Sequence, residues 1–159
     1  MDNIDNFEQW IKRHRKNIAL TDKSYKNVYQ KKHGKVLETK RVNTELATYG
    51  DAVLKHALCE ILWGNKTNGL TKEKEKYESD RILVKVIAKH YDILSLLRFD
   101  KQDKNIPQNY DYKDDKYKYI ATAIEACLGA MYMNKEISCK NILTVVKKWK
   151  EMIDNQENI

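Results

Sequence analysis

Residues 43–54 read Asn-Thr-Glu-Leu-Ala-Thr-Tyr-Gly-Asp-Ala-Val-Leu and begin the clearest helical pattern in the chain. From Thr44 to Trp63, apolar side chains recur every three or four residues, and Gly64 follows as a stop signal. The spacing predicts one helix. Its interior contains Gly50 followed by Asp51, although Gly costs about 1 kcal/mol relative to Ala in a helix and Asp is also unfavourable there. Helix formation alone therefore does not explain this pair.

A second run, Tyr119 to Met133 (YIATAIEACLGAMYM), is the most apolar segment of the chain. It is shorter than the ~20 apolar residues that cross a bilayer, so we expect a central core helix. Glu125 lies in the middle of this run. An ionised carboxylate among apolar side chains normally has a cation, a hydrogen-bond network or a metal ion beside it. We therefore expect such a partner for Glu125.

Asp51 and Glu125 allow two interpretations. A small residue such as Gly50 lets another helix or a phosphate backbone approach closely, and two carboxylates that converge from separate helices form an oxygen site suited to Mg²⁺. Alternatively, Asp51 pairs with Lys55 one helical turn later, and Glu125 pairs with a buried lysine or tyrosine. The residues alone leave both interpretations open.

The remaining segments predict further helices in a single domain over residues 1–159. With 42% hydrophobic residues, five Gly, one Pro and no internal repeat, the chain is typical of an all-α helical bundle. The further elements are a helix over residues 6–18, short helices with a turn at Gly34 between Lys23 and Arg41, a charged helix capped by Thr71, an apolar stripe from Ile82 to Leu97 in one helix or two, a surface loop from Asp100 to Lys116, and a last helix with Ile142, Val145, Val146, Trp149 and Ile153 on one side.

The charge is uneven along the chain. Its 30 basic and 23 acidic residues give a net charge of +7, and the stretch from Lys23 to Arg41 is rich in lysine, which suits contacts with polyanions.

No membrane span or signal peptide is evident, so we expect a cytoplasmic protein without a membrane partner. Cys59, Cys127 and Cys139 form no CxxC pair, which favours buried thiols over a zinc site.

Three segments resemble the ribonuclease III family. Residues 43–54 are similar to its signature N-E-R-L-E-F-L-G-D-S-V-L, and residues 120–132 are similar to its second catalytic helix, L-A-D-T-F-E-A-L-I-G-A-L-Y. Upstream, residues 19–25 (ALTDKSY) resemble the family's A-L-T-H-R-S-Y segment. The three segments occur in the family's order with plausible separations, so the resemblance extends from Ala19 to about Met133.

The resemblance implies an all-helical ribonuclease III-type endonuclease domain that forms a homodimer and cleaves double-stranded or structured RNA. Asp51 and Glu125 would be catalytic residues and ligands of Mg²⁺, with Mn²⁺ as a substitute, and metal-activated water would leave 5′-phosphate and 3′-hydroxyl ends. We expect no separate double-stranded-RNA-binding domain in this chain. The residues predicted to contact RNA phosphates are Lys31, Lys32, Lys35, Lys116 and Lys118.

The sequence also departs from the family pattern. Thr44, Ala47 and Thr122 stand where classical members have acidic residues, and Glu45 is shifted by one position, or about 100° around a helix. Ala47 and Thr122 resemble the compact Mini-ribonuclease III branch, which favours an active enzyme. Thr48 stands where the classical family has an aromatic residue at the dimer contact.

Two other functions remain open. The first is a catalytically silent module of the same fold that binds RNA or a protein partner, because three family carboxylates are replaced. The second is a helical adaptor whose two carboxylates are buried ion pairs and take up no metal ion.

Overall fold

Helices account for the regular structure in the part of the chain that the structure describes. The computed structural model describes residues 5–15, 17–64, 69–101, 117–134 and 139–157, together with one isolated β-bridge between Thr21 and Arg98. The α-helices in these ranges are α1 (Asn6–Arg13), α2 (Tyr25–His33), α3 (Thr44–Leu62), α4 (Leu70–Glu78), α5 (Asp80–Ile82), α6 (Ile93–Leu96), α7 (Lys118–Met133) and α8 (Cys139–Glu157). Two 3₁₀ turns (Ile18–Leu20 and Thr39–Arg41) and a π-helical segment (Leu83–Ala88) complete the list. The predicted all-α class is confirmed.

Helices α3 and α7 form the centre of the fold. Both predicted helices are confirmed within a residue of their expected bounds, and α7 is buried along most of its length. The two helices cross at Gly50 and Gly129, where their backbones touch: a Cβ atom added to Gly129 would lie 2.5 Å from the carbonyl oxygen of Leu46. The crossing therefore requires glycine, because another helix approaches closely there. Another helix and a phosphate backbone were the two neighbours of Gly50 expected from the sequence.

Helix α8 covers this centre with the apolar face that the sequence predicts. Its buried side chains are Ile142, Val145, Val146, Trp149 and Ile153. The Phe7 ring of α1 packs edge-on against Trp149, with ring centroids 5.0 Å apart. The first and last helices of the described chain are thus joined through one aromatic contact in the core.

A polar network reinforces the same junction. The Tyr91 hydroxyl donates to Asp5 (2.9 Å), the Trp149 indole donates to the Tyr91 oxygen (3.2 Å), and Lys148 forms an ion pair with Asp5 (2.9 Å). Burial alone would raise the pKa of Asp5, but hydrogen bonds from the Glu8 backbone, Lys148 and Tyr91 lower it. The network therefore stabilises the charged form of Asp5.

Three predicted boundaries differ from the structure. The helix expected over residues 6–18 ends at Arg13, because the following chain turns at His14 and begins a 3₁₀ turn capped by Asn17. Helix α4 begins at Leu70 after Gly69, which has a φ of 84°, so Thr71 is not its cap. The apolar stripe from Ile82 to Leu97 is broken into α5, the π-helical segment and α6.

Other predictions hold in part. Gly34 ends α2 with a left-handed φ of 64°, as expected for a turn between short helices. Cys127 is buried, which raises the pKa of its thiol, whereas Cys59 is only partly buried. The side chain of Cys139 and residues 102–116 of the surface loop predicted from Asp100 to Lys116 lie outside the described residues, and Asp100 at the start of that loop is buried rather than exposed. In the described part, none of the helices has the length and apolar character of a membrane span, and the cytoplasmic location stays a prediction.

Candidate active site

Asp51 and Glu125 meet at the crossing of α3 and α7. A Cβ atom at Gly50 would overlap the carbonyl oxygen of Glu125, so the backbone next to Asp51 lies directly against the backbone of Glu125. The negative charge of Asp51 is also among the groups that raise the pKa of Glu125. The two carboxylates predicted from separate helices are therefore within electrostatic range of each other.

The Glu125 carboxylate has an unfavourable environment. Its pKa is raised to about 7, first by burial and then by the charges of Asp51 and Asp80, while Lys55 and Lys118 oppose the shift. Among the described residues, no hydrogen bond or ion pair to this carboxylate is found. Near neutral pH the group is thus divided between its protonated and charged forms, and an added cation would favour the charged form.

Lys55 is the positively charged side chain that contacts Asp51. Its ammonium lies 2.7 Å from Oδ2 of Asp51, and the two side chains are 45% and 35% exposed. The pKa of Lys55 is raised chiefly by its hydrogen bond to Asp51 and further by the charges of Asp51, Glu78 and Glu125, although desolvation opposes this. The pairing of Asp51 with Lys55, one of the two alternatives left open by the sequence, is present in the structure.

Asp80 is a residue of this centre that sequence reasoning missed. It begins α5 directly after Ser79, whose hydroxyl accepts a hydrogen bond from the backbone of Ile82 (3.3 Å). That serine cap at the end of a charged run is the signal that could have located the break in the helix. The position of Asp80 relative to Glu125 depends on tertiary packing, which no local pattern records.

The donor chemistry fits a hard divalent cation, with a small set of ligands. Carboxylate oxygens are the ligands that Mg²⁺ prefers in proteins. In the described ranges, no group of three or more Asp, Glu, His or Cys side chains is close enough to hold a metal ion. Asp51 and Glu125 would therefore hold a cation with help from water or phosphate oxygens.

The three positions at which the sequence departs from the pattern that it resembles have uncharged side chains. Ala47 is buried, whereas Thr44 is exposed at the first turn of α3. The Thr122 hydroxyl donates to the backbone carbonyl of Lys118 at 2.9 Å. Glu45 is exposed in the first turn of α3, and no described contact joins it to Glu125.

The predicted RNA-contacting lysines fall into two groups. Lys118 is exposed at the start of α7, and its charge lowers the pKa of Glu125, so it belongs to the electrostatic surroundings of the centre. Lys31, Lys32 and Lys35 are exposed at the end of α2 and just after it, without a described contact to the two carboxylates. Lys116 lies outside the described residues.

A groove on another part of α3 is mainly apolar. We name it the α3 groove; it has a volume of about 440 Å³ and is lined by Tyr49, Val53, His56, Tyr132 and Leu143, among others. Tyr49 is 41% exposed, and its ring centroid lies 5.9 Å from that of Tyr132. Exposed aromatic rings beside an apolar groove are typical of a protein contact surface.

One model of a known protein family matches this chain. The sequence model of the ribonuclease III domain matches residues 44–136, which is more than half of the chain and includes Asp51, Asp80 and Glu125. Neither a curated protein nor a solved structure matches the chain significantly.

Proposed function

Because the chain belongs to the ribonuclease III family, we propose that it is a Mg²⁺-dependent endoribonuclease that cleaves double-stranded or structured RNA and leaves 5′-phosphate and 3′-hydroxyl ends. The observation that carries this proposal is the convergence of Asp51 and Glu125 at the α3–α7 crossing. Two carboxylates from separate helices, of which Asp51 raises the pKa of Glu125, form an oxygen site that a divalent cation would stabilise.

Asp51 and Glu125 would hold the divalent ion, which when bound stabilises negative charge at a phosphodiester and promotes attack by water. Glu125 has to lose its proton before it can serve as a ligand. Lys55 contacts Asp51 through Oδ2, and release of this contact when a cation binds would free the Lys55 ammonium for a phosphate oxygen of the RNA. Lys118, exposed near the same centre, is suited to a second phosphate contact.

We propose further that a second copy of the chain occupies the α3 groove. The support is the exposed Tyr49 ring, the apolar lining of the groove and the family membership, although Thr48 replaces an aromatic residue of the classical dimer contact. Sedimentation should give twice the monomer mass for the unmodified chain and the monomer mass for Tyr49→Glu. A monomeric unmodified chain would remove the dimer from the proposal.

The cleavage experiment uses a labelled blunt RNA duplex, Mg²⁺ or Mn²⁺, and product ends identified by mass spectrometry. We expect cleavage that is lost in Asp51→Asn and in Glu125→Gln. The matched control is Glu45→Gln, which changes an exposed acid on α3 and should keep the activity. If excess protein gives no products with either ion, the proposed endoribonuclease activity is refuted.

A second candidate function is a silent RNA-binding module. The replacement of family acids by Thr44, Ala47 and Thr122, together with the absence of a cluster of three or more potential ligands among the described residues, favours it. This function predicts RNA binding that weakens as salt rises, without cleavage of the strand. Calorimetric titration with Mn²⁺ tests for metal uptake, which a helical adaptor would lack; the two buried ion pairs expected for such an adaptor do not occur, because the Asp51–Lys55 pair is partly exposed and Glu125 has no described ion pair.

A further inference from the structure

A polar cavity beside α2 is separate from the carboxylate centre. It has a volume of about 530 Å³, and we name it the α2 pocket; its lining includes Tyr25, Tyr29, His33, Glu38, Arg41 and Arg98. Small-molecule sites commonly have volumes of this order and a few polar groups that converge on the ligand.

One wall of the α2 pocket is aromatic. Tyr25, Tyr29 and His33 are spaced four residues apart and therefore lie along the same side of α2. The rings of Tyr29 and His33 have centroids 4.4 Å apart, and α2 contains no buried residue. These rings remain accessible to a planar ligand, and aromatic side chains are the usual stacking surfaces for nucleic-acid bases.

The lining of the α2 pocket also includes two arginines. The Arg98 guanidinium lies 5.5 Å from the Tyr25 ring centroid and donates to the Thr21 hydroxyl, so its position is fixed by two neighbours. Arg41 is exposed at the end of the 3₁₀ turn. An arginine that stacks on an aromatic ring and a second arginine at the rim suit a ligand with both a planar ring and an anionic group.

The lining of the pocket has two arginines, Arg41 and Arg98, and one acidic residue, Glu38. Glu38 is paired with Lys40 at 3.0 Å, and that hydrogen bond, followed by the charges of Lys40 and Arg41, lowers the pKa of the Glu38 carboxyl. The lysine-rich stretch from Lys23 to Arg41 supplies most of the residues that line the pocket. The pocket therefore favours an anion.

We propose that the α2 pocket binds a nucleotide, with the base stacked on Tyr25 and Tyr29 and the phosphate held by Arg41. The nucleotide can come from an unpaired stretch of RNA or from a free mononucleotide; the RNA source rests on the proposed function, whereas the binding chemistry does not. The Asn43 backbone donates to the Thr21 carbonyl (2.8 Å), which sets the pocket beside the start of α3. Asp51 lies farther along that helix, roughly 12 Å at 1.5 Å per residue.

The test measures binding in EDTA, without any divalent ion. Fluorescence anisotropy of labelled penta-adenylate reports the RNA source, and calorimetry with AMP and with adenosine reports the free nucleotide and the contribution of the phosphate. Loss of one stacked base should weaken penta-adenylate binding about fivefold to thirtyfold in Tyr29→Ala. Tyr29→Phe keeps the ring and should bind within about twofold of the unmodified chain.

Arg41→Gln removes an exposed charge that the fold does not need, so it remains informative if Tyr29→Ala unfolds. Its matched control is Arg13→Gln, an exposed arginine at the end of α1 outside the pocket. The pocket is supported if the affinity for penta-adenylate or AMP falls in Tyr29→Ala or Arg41→Gln and is unchanged in Arg13→Gln. The ligand whose affinity falls identifies the source of the nucleotide.

The proposal is overturned if neither ligand binds, or if both pocket variants bind as the unmodified chain does. Failure of duplex cleavage refutes the proposed function without affecting this result, since no divalent ion takes part in the binding measurement. Absence of nucleotide binding likewise leaves the cleavage experiment unaffected.

Discussion

Replacement of Glu125 by Gln should stabilise the fold at alkaline pH. The pKa of Glu125 is about 7 in the folded chain and 4.5 for an ordinary glutamate. This gap corresponds to about 3 kcal/mol, and because part of the side chain reaches solvent, we reduce the expected effect to about 1–2 kcal/mol. Between pH 4.5 and pH 7, Glu125 is more protonated in the folded chain than in the unfolded chain, so the free energy of unfolding decreases as pH rises.

The stabilisation expected from Glu125→Gln therefore depends on pH. At pH 4.5, Gln and the protonated acid are equivalent, and the two proteins should unfold at similar temperatures. At pH 8 the folded chain has to bury a charged Glu125, and Glu125→Gln should raise the unfolding temperature by about 3–6 °C. Circular dichroism in EDTA measures both temperatures.

Glu151→Gln is the matched control, because Glu151 is an exposed glutamate on α8. This change should shift stability by less than about 0.5 kcal/mol at either pH. Addition of Mn²⁺ at pH 8 should then stabilise the unmodified chain more than Glu125→Gln. Equal unfolding temperatures at pH 8, or a difference that is the same at both pH values, would refute this reasoning about Glu125.

Three further perturbations test the surroundings of this centre. Gly50→Ala places a methyl group on the backbone of Glu125 and should destabilise the fold by about 2–3 kcal/mol or more in urea unfolding, whereas an unchanged midpoint would contradict the close crossing. Lys55→Gln removes the positive charge beside Asp51 and should tighten Mn²⁺ binding about threefold to tenfold by calorimetry; weaker binding would show that Lys55 assists the cation instead. Tyr91→Phe removes a buried hydroxyl from the network between the first and last helices and should lower stability by about 1–2 kcal/mol, and no loss would mean that this network is energetically neutral.

The sequence predicted the helices that have a continuous apolar period. Helices α3, α7 and α8 bury the residues that their spacing selected, because an amphipathic helix has one face to place against a core. Gly50 was also informative, since a glycine in a helix interior without a local reason indicates a close approach. The two carboxylates next to this approach were therefore predictable as a pair.

Other features depended on tertiary structure. The helix breaks at Ser79, and the chain continues through α5 into a π-helical segment, which brings the charge of Asp80 within range of Glu125. The spacing of apolar residues in this stripe is the same for one continuous helix and for a broken one, so the sequence does not reveal the break. The aromatic face of α2 was overlooked for a different reason. Its residues occur in a stretch that is polar and basic on average, and Arg98, which completes the pocket, is distant in sequence.

The charge balance of the centre shows how the fold tolerates two adjacent carboxylates without a metal ion. Lys55 compensates Asp51, and a proton compensates part of the charge on Glu125, whose pKa is near neutrality. Further acids at Ala47 and Thr122 would add like charges at a site that already raises the pKa of one member. Under the proposed function, the uncharged side chains of Ala47 and Thr122 keep repulsion between carboxylates low, and they also leave fewer anionic ligands for a cation. Such a centre would then bind a divalent ion most readily when an RNA phosphate supplies further oxygen ligands, because Lys55 gains a phosphate partner if it leaves Asp51.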